Sequence, residues 1–199
     1  MHTYDVARVI AGEAGGRRLA VPGGRDTRPT SDRAREGLFA TITSITGSLA
    51  GARVLDLYAG SGAVGLEALS RGAGHVLLVE SGGRAVRVIR ANIEAVGLPG
   101  AEVITDRVER VLTRGPVGGR YDIVFVDPPY ALADDEVARM LTALADRGWL
   151  VPGALVVVER ATRSGPVSWP AGFEPDRARR YGEATFWYGR GPYNLLAEP

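Results

Sequence analysis

Apolar positions along the chain fall into two regimes. Short continuous runs recur at VLDLY (54–58), HVLLVE (75–80), YDIVFVD (121–127) and ALVVVE (154–159), and between them apolar residues sit three and four apart. Runs of that length read as strands buried on both faces, and the wider spacing reads as helices with one apolar face. The helix after VLDLY extends to about Arg71. The next is marked by Val86, Ile89, Ile93 and Val96, with Arg90 and Glu94 one turn apart on its outer face. Val103-Ile104 lie in a further strand, and Val137, Met140, Leu141 and Leu144 mark a helix that stops at Gly148. Alternation of this kind predicts a parallel sheet covered on both sides.

The flanks follow other rules. Residues 6–21, VARVIAGEAGGRRLAV, alternate loosely around Gly15-Gly16 and predict a β-hairpin that Pro22-Gly23-Gly24 ends. Pro29 and Thr30-Ser31-Asp32 then start a helix striped by Leu38, Phe39, Ile42 and Ile45, and glycines from Gly47 to Gly51 break it off. Residues 1–47 are thus expected to be an extension in front of a main domain at 48–199. Past Arg160 no long helix is expected, and TFWY (185–188) suggests antiparallel strands closing the sheet. Phe186, Trp187 and Tyr188 are expected to pack in the core or at its edge.

Composition narrows the chemistry. The 199 residues contain no cysteine and two histidines, His2 and His75, which excludes disulfides, thiolate metal sites, cysteine nucleophiles and multi-histidine metal centres. No bound metal is expected. Neither a secretory signal nor a membrane span is visible, so a cytoplasmic, monomeric protein away from membranes is expected. The net charge of +1 hides an asymmetry: residues 1–35 hold seven arginines against four acids, and residues 36–158 eleven against fourteen. A basic arm on an acidic body suits a polyanion held at one edge. All 24 basic residues are arginine, as codon bias in a GC-rich genome would give, so only their positions carry information.

The segment Asp56-Leu-Tyr58-Ala-Gly60-Ser-Gly62-Ala-Val-Gly65 joins the first parallel strand to its helix. In open α/β sheets ligands bind at the carboxyl ends of strands, and glycines there let a ligand reach the backbone and the helix N-terminus. Gly60, Gly62 and Gly65 also satisfy G-x-G-x-x-G with Glu80 at ribose distance, which leaves a nicotinamide oxidoreductase and a methyltransferase using S-adenosylmethionine (SAM) both open. Asp56 favours the second, because a pyrophosphate would meet another negative charge there while a cationic sulfonium ligand would not. Glu80, with two acceptor oxygens, suits both ribose hydroxyls. Asp106 ends the third strand and suits an adenine amino group, but Asp106 and Glu109 also have capping-box spacing.

Asp127-Pro128-Pro129-Tyr130 follows the strand YDIVFV directly. Two prolines end the strand at a rigid elbow, expected at the same sheet edge as the glycine loop. The Asp127 carboxylate and the Pro128 carbonyl are fixed acceptors there, and Tyr130 is a stacking face. Methylation of an exocyclic amino nitrogen needs such acceptors, because the nitrogen lone pair is delocalised into the base and positive charge develops as methyl arrives.

With these motifs the chain resembles the class I SAM-dependent methyltransferases, and among them the RsmD family of 16S rRNA guanine-N2 methyltransferases. The resemblance lies in RVIAGEAGGRRL (8–19), RPTSDRAREGLF (28–39), VLDLYAGSGAVGLEALSRGA (54–73), VDPPY (126–130) and YGEATFWYG (181–189). It implies a Rossmann-like fold, a seven-stranded mostly parallel sheet with helices on both faces plus a small N-terminal hairpin and helix. It implies transfer of methyl from SAM to N2 of one guanine in 16S rRNA, in assembled or nearly assembled small subunits, releasing S-adenosylhomocysteine. By position it makes Asp56, Tyr58, Gly60, Gly62, Glu80, Asp106 and Asp127 cofactor-binding, and Asp127, Pro128, Pro129 and Tyr130 catalytic. Arg8, Arg17, Arg18, Arg28, Arg33 and Arg35 face RNA, although the helix carrying Arg33 and Arg35 has a second use, to pack over the pocket with its charges as a lock. Glu13-Ala14 departs from the basic or aromatic residues common in relatives. Adenine-N6 methylation of RNA or DNA, and a non-catalytic ribosome assembly factor, are the competing functions.

Overall fold

The computed structural model describes residues 7–23 and 31–193. The chain divides after Asp106 into two units.

The N-terminal unit begins with the expected hairpin. β1 (Ala7–Arg8) and β2 (Arg18–Leu19) are antiparallel, with Ala7 opposite Leu19 and Arg8 opposite Arg18. α1 (Asp32–Thr46) starts at Ser31, whose hydroxyl accepts from the Ala34 N–H at 3.2 Å, and it buries Leu38, Phe39 and Ile42. β3 (Arg53–Leu57), α2 (Ala63–Ser70), β4 (His75–Glu80), α3 (Gly83–Val96) and β5 (Ala101–Thr105) follow in alternation. The three strands are parallel in the order β5-β4-β3, with Asp56 opposite Leu78 and Glu80 opposite Thr105. Every residue of α2 is buried. Its Ala63 and Leu66, with Val96 of α3, pack against Ala7, Val9, Ala14 and Leu19, so the hairpin has its own apolar seat. That seat explains why a small residue, Ala14, stands here at 1% exposure.

The C-terminal unit holds α4 (Val108–Arg114), β6 (Tyr121–Val126), α5 (Asp134–Asp146), β7 (Leu150–Ala161), a 3₁₀ turn (Thr162–Ser164), β8 (Glu174–Tyr181) and β9 (Ala184–Arg190). The order is β6-β7-β9-β8; β6 and β7 are parallel, and β9 is antiparallel to both neighbours. β7 starts four residues before the predicted run. Proline without an N–H at 152 and Gly153 at φ 69° push the intervening residues out of register, and pairing with β6 resumes at Ile123 opposite Leu155. Phe186 and Tyr188 are buried on β9, as packing residues. Besides the hairpin, the strands thus number three in the first unit and four in the second, mostly parallel, with β9 running against its neighbours. Among the described residues no helix is long and apolar enough to cross a membrane.

Candidate functional site

In the N-terminal unit the carboxyl ends of three adjacent parallel strands carry Asp56 and Tyr58 (β3), Glu80 (β4) and Asp106 (β5). Asp56 is 1% exposed, and its Oδ2 accepts from the Gly65 N–H at 2.9 Å. A Cβ at Gly65 would lie 2.8 Å from both Leu78 Cδ2 and Val76 Cγ1, so only glycine lets α2 sit this close to the sheet. α2 begins at Gly62, in the left-handed region, with no side chain capping its first N–H groups. Glu80 is half-buried; its Oε2 accepts from the Gly60 N–H at 3.0 Å and its Oε1 from the Gly82 N–H at 2.7 Å. Each oxygen keeps a second lone pair, so the carboxylate shapes the loop and still has capacity for two hydroxyls.

Tyr58 has φ 61° and, among the described residues, is the one non-glycine in the left-handed region. Such a residue costs about 1 kcal/mol or more and persists where the surroundings fix it, commonly in ligand loops. Asn92, unremarked in the sequence, is 1% exposed on α3. Its Nδ2 donates to the Ser61 and Ala20 carbonyls, both at 2.9 Å, and its Oδ1 accepts from the Ala20 N–H at 2.8 Å, tying the glycine loop to the hairpin's exit. The capping box expected at Asp106 and Glu109 is a correction. α4 starts one residue later, with Arg107 as its cap residue and no side chain capping it, which leaves Asp106 half-buried at the strand end.

Burial pushes the Asp56 carboxyl up from 3.8 to about 7; the Gly65 hydrogen bond opposes this and the Glu80 charge adds to it. The folded chain therefore holds the proton more tightly than the unfolded one. The stability it contributes is whole below about pH 4 and is lost as pH climbs through 7. Asp56→Asn cannot ionise, so without cofactor it is expected to melt roughly 5–10 °C higher than wild type at pH 8 and level with it near pH 4. Equal melting temperatures at both pH values would show that the carboxyl ionises at no cost.

In the C-terminal unit Asp127 is half-buried just after β6, Pro128 is buried, and Pro129 and Tyr130 are exposed, Tyr130 at 54%. The Pro129 carbonyl accepts from the Leu132 N–H at 2.9 Å, closing a tight turn after the elbow. Arg160, another residue the sequence reading missed, is 5% exposed near the end of β7. Its Nη2 donates to the Leu132 carbonyl at 2.9 Å and to Asp134 at 2.8 Å, and so braces the segment that follows Tyr130. Beside Tyr130 lies a cleft of about 340 Å³, lined also by Ala161, Thr162, Arg163, Arg180 and Glu183.

Of the arginines expected to face RNA, Arg8, Arg17, Arg18 and Arg33 are exposed, and Arg28 lies outside the described residues. Arg8 pairs with Asp32 at 3.2 Å, and Arg17 donates to the Val96 carbonyl at the end of α3. Arg35 is a correction. It is fully buried, donates to the Arg8 carbonyl and to Asp32, and lies 3.9 Å from the buried Glu67, so it ties α1 to the hairpin and α2 and has no surface for RNA.

The structure therefore holds, in one unit, three strand-end carboxylates beside a glycine loop, and in the other a loop braced by Arg160 with an exposed ring. Comparison with known proteins gives the same direction. A family profile described as conserved hypothetical protein 95 matches residues 7–190. Ribosomal RNA small subunit methyltransferase D of Escherichia coli (strain K12) is 35% identical over 179 residues, 90% of this chain and 87% of that protein. The solved structure of the putative methyltransferase yhhF from Escherichia coli superposes with a TM-score of 0.82 at 31% identity, covering 94% of this chain and 99% of the other. SMU.776, a putative methyltransferase complexed with SAH, shares the fold at 17% identity and a TM-score of 0.66, over 87% of this chain and 53% of its own.

Proposed function

Because the chain belongs to the RsmD family, the one described as conserved hypothetical protein 95, we propose that it methylates the exocyclic N2 of one guanine in 16S rRNA. The methyl donor is SAM, the by-product is S-adenosylhomocysteine, and the substrate is the assembled or nearly assembled small subunit. The observation that carries this reading is Asp127-Pro128-Pro129-Tyr130 at the end of β6, with its acceptors held by a braced turn and its ring exposed.

The cofactor, when bound, supplies a methyl group on a positively charged sulfur. The residues at the β3, β4 and β5 ends fit such a group: Asp56 offers a buried carboxylate, Glu80 has spare acceptor capacity, and Gly60, Gly62 and Tyr58 shape the loop, with Asp106 for the adenine amino group. A bound cation favours the ionised form of the buried Asp56 carboxyl and a pyrophosphate opposes it, which favours the methyltransferase over the oxidoreductase. Asp127 and the Pro128 carbonyl accept the N–H bonds of the base amino group, drawing its nitrogen toward a tetrahedral shape and stabilising the charge that grows on it. Asp127 is also the one carboxylate of the loop, able to take up the proton the methylated nitrogen sheds. Tyr130 stacks on the unstacked base.

Residues 1–47 form the RNA-facing extension of a methyltransferase domain at 48–199, with Arg8, Arg17, Arg18 and Arg33 toward phosphates. SAM labelled in its methyl group, offered with unmodified small subunits, free 16S rRNA and DNA, tests the reading after digestion to nucleosides. N2-methylguanosine from the subunits is expected. Label in N6-methyladenine would overturn the choice of base, and no label in a chain that binds SAM would overturn the activity.

A further inference from the structure

Outside the loop itself, the cleft beside Tyr130 has no part in the chemistry above. Its walls come from three places in the C-terminal unit: the 3₁₀ turn with Thr162 and Arg163, the end of β8 with Arg180, and the β8–β9 turn with Glu183. These walls are fastened to one another. The Thr162 N–H donates to the Glu183 carbonyl at 2.7 Å, the hydroxyls of Thr162 and Thr185 are 2.9 Å apart, and Arg180 Nε donates to the Gly182 carbonyl at 3.0 Å. Arg163, Arg180 and Glu183 are exposed on this fixed frame, with the Tyr130 ring as the fourth side.

Two guanidiniums, one carboxylate and an aromatic face make a cleft with net charge +1, which matches one phosphodiester. Its volume of about 340 Å³ falls in the range of small-ligand pockets, about 300–1,000 Å³. An aromatic ring stacks on any base, so it does not choose among them. A carboxylate does choose. It accepts from guanine N1–H, whereas adenine presents a lone pair at N1 and repels it.

Resting on the function proposed above, we propose that this cleft is the acceptor-nucleotide subsite. Arg163 and Arg180 hold the nucleotide's phosphate, Tyr130 stacks on its base, and Glu183 reads N1–H and so selects guanine. Arginine suits the phosphate because its planar fork presents several N–H donors at once.

The test uses the full chain and unmodified small subunits. Arg163→Ala and Glu183→Ala are the variants, because Arg180 also holds the Gly182 carbonyl and its loss would disturb the turn. Binding is measured without cofactor across a salt series, and labelled-methyl transfer is measured separately. Arg163→Ala should weaken subunit binding about tenfold and lower the slope of log K against log salt by about one. Glu183→Ala should leave binding within about threefold and slow transfer at least tenfold, with SAM affinity unchanged in both. Wild-type values in either variant overturn the assignment. Wild-type chain that binds subunits yet yields no N2-methylguanosine would instead overturn the proposed function, and the salt series on Arg163→Ala would still decide whether the cleft holds a phosphate.

Discussion

Asp127→Ala is expected to lower the rate of methyl transfer about a thousandfold, or about 4 kcal/mol of transition-state stabilisation, the scale for removing one preorganised group at a developing charge. SAM affinity should change less than about threefold, because the acceptors at the β3 and β4 ends are untouched. The contrast matters more than either number. A residue that only shaped the elbow would be replaceable by any small side chain between Val126 and the two prolines, and the turn closed by the Pro129 carbonyl and Arg160 would persist. Asp127→Asn sharpens the point: it keeps size and one acceptor oxygen but cannot take a proton, and a loss between those of alanine and wild type is expected. Single-turnover transfer to unmodified small subunits, with SAM binding measured by calorimetry on the same preparations, gives both quantities. Transfer at the wild-type rate in Asp127→Ala would remove this loop from the chemistry.

The strands were the most legible part of the fold, since continuous runs such as HVLLVE have no amphipathic alternative, and β4 covers those six residues without change. α4 was less so. Val108, Val111 and Leu112 have helical spacing, but seven residues give the pattern too little length. In the site, Asp56 and Glu80 were readable because strand ends and a glycine loop fix where they lie. The cleft at Tyr130 was not, because Arg163, Arg180 and Glu183 come from separate turns and no spacing along the chain links them. Arg35 was misplaced for a different reason. An arginine in a basic segment reads as surface unless a buried carboxylate is known to await it, and that carboxylate was visible: AVGLEALS (63–70) is apolar on all sides except at Glu67 and the terminal Ser70, and Glu67 is its one charge. A lone acid in a helix buried all round requires a cation from elsewhere. Asn92, inside the apolar stripe of α3, gave the same kind of signal for the glycine loop.

Replacing that acid should have the largest effect on stability. Glu67 is wholly buried; it accepts from the Ile10 N–H at 2.7 Å, the Ala11 N–H at 3.0 Å and Arg71 Nε at 2.7 Å, and faces Arg35 Nε at 3.9 Å. Burial lowers the pKa of Arg35, and Glu67 and then Asp32 pull it back up. Among the described residues Arg35 Nε and Nη1 have no hydrogen-bond partner, so the nearby charge is what compensates them. Glu67→Ala removes that compensation and orphans two hairpin N–H groups, an expected loss of about 3–5 kcal/mol and roughly 10 °C in melting temperature. Adding Arg35→Met should recover part of it, since no unpaired charge is then buried, although the Ile10 and Ala11 N–H groups stay unsatisfied. Hydrogen exchange at those two amides should speed up more than at β4, because both lose their acceptor, while Ser70, Asn92 on Ala20 and Arg17 on the Val96 carbonyl still hold the rest of the hairpin. RNA binding should fall as well, with no exposed arginine altered, since the hairpin that carries Arg8, Arg17 and Arg18 would be held less firmly. A Glu67→Ala chain that melts within 2–3 °C of wild type, with Ile10 and Ala11 still protected, would show that the apolar seat alone holds the hairpin and that the buried charges only accompany it.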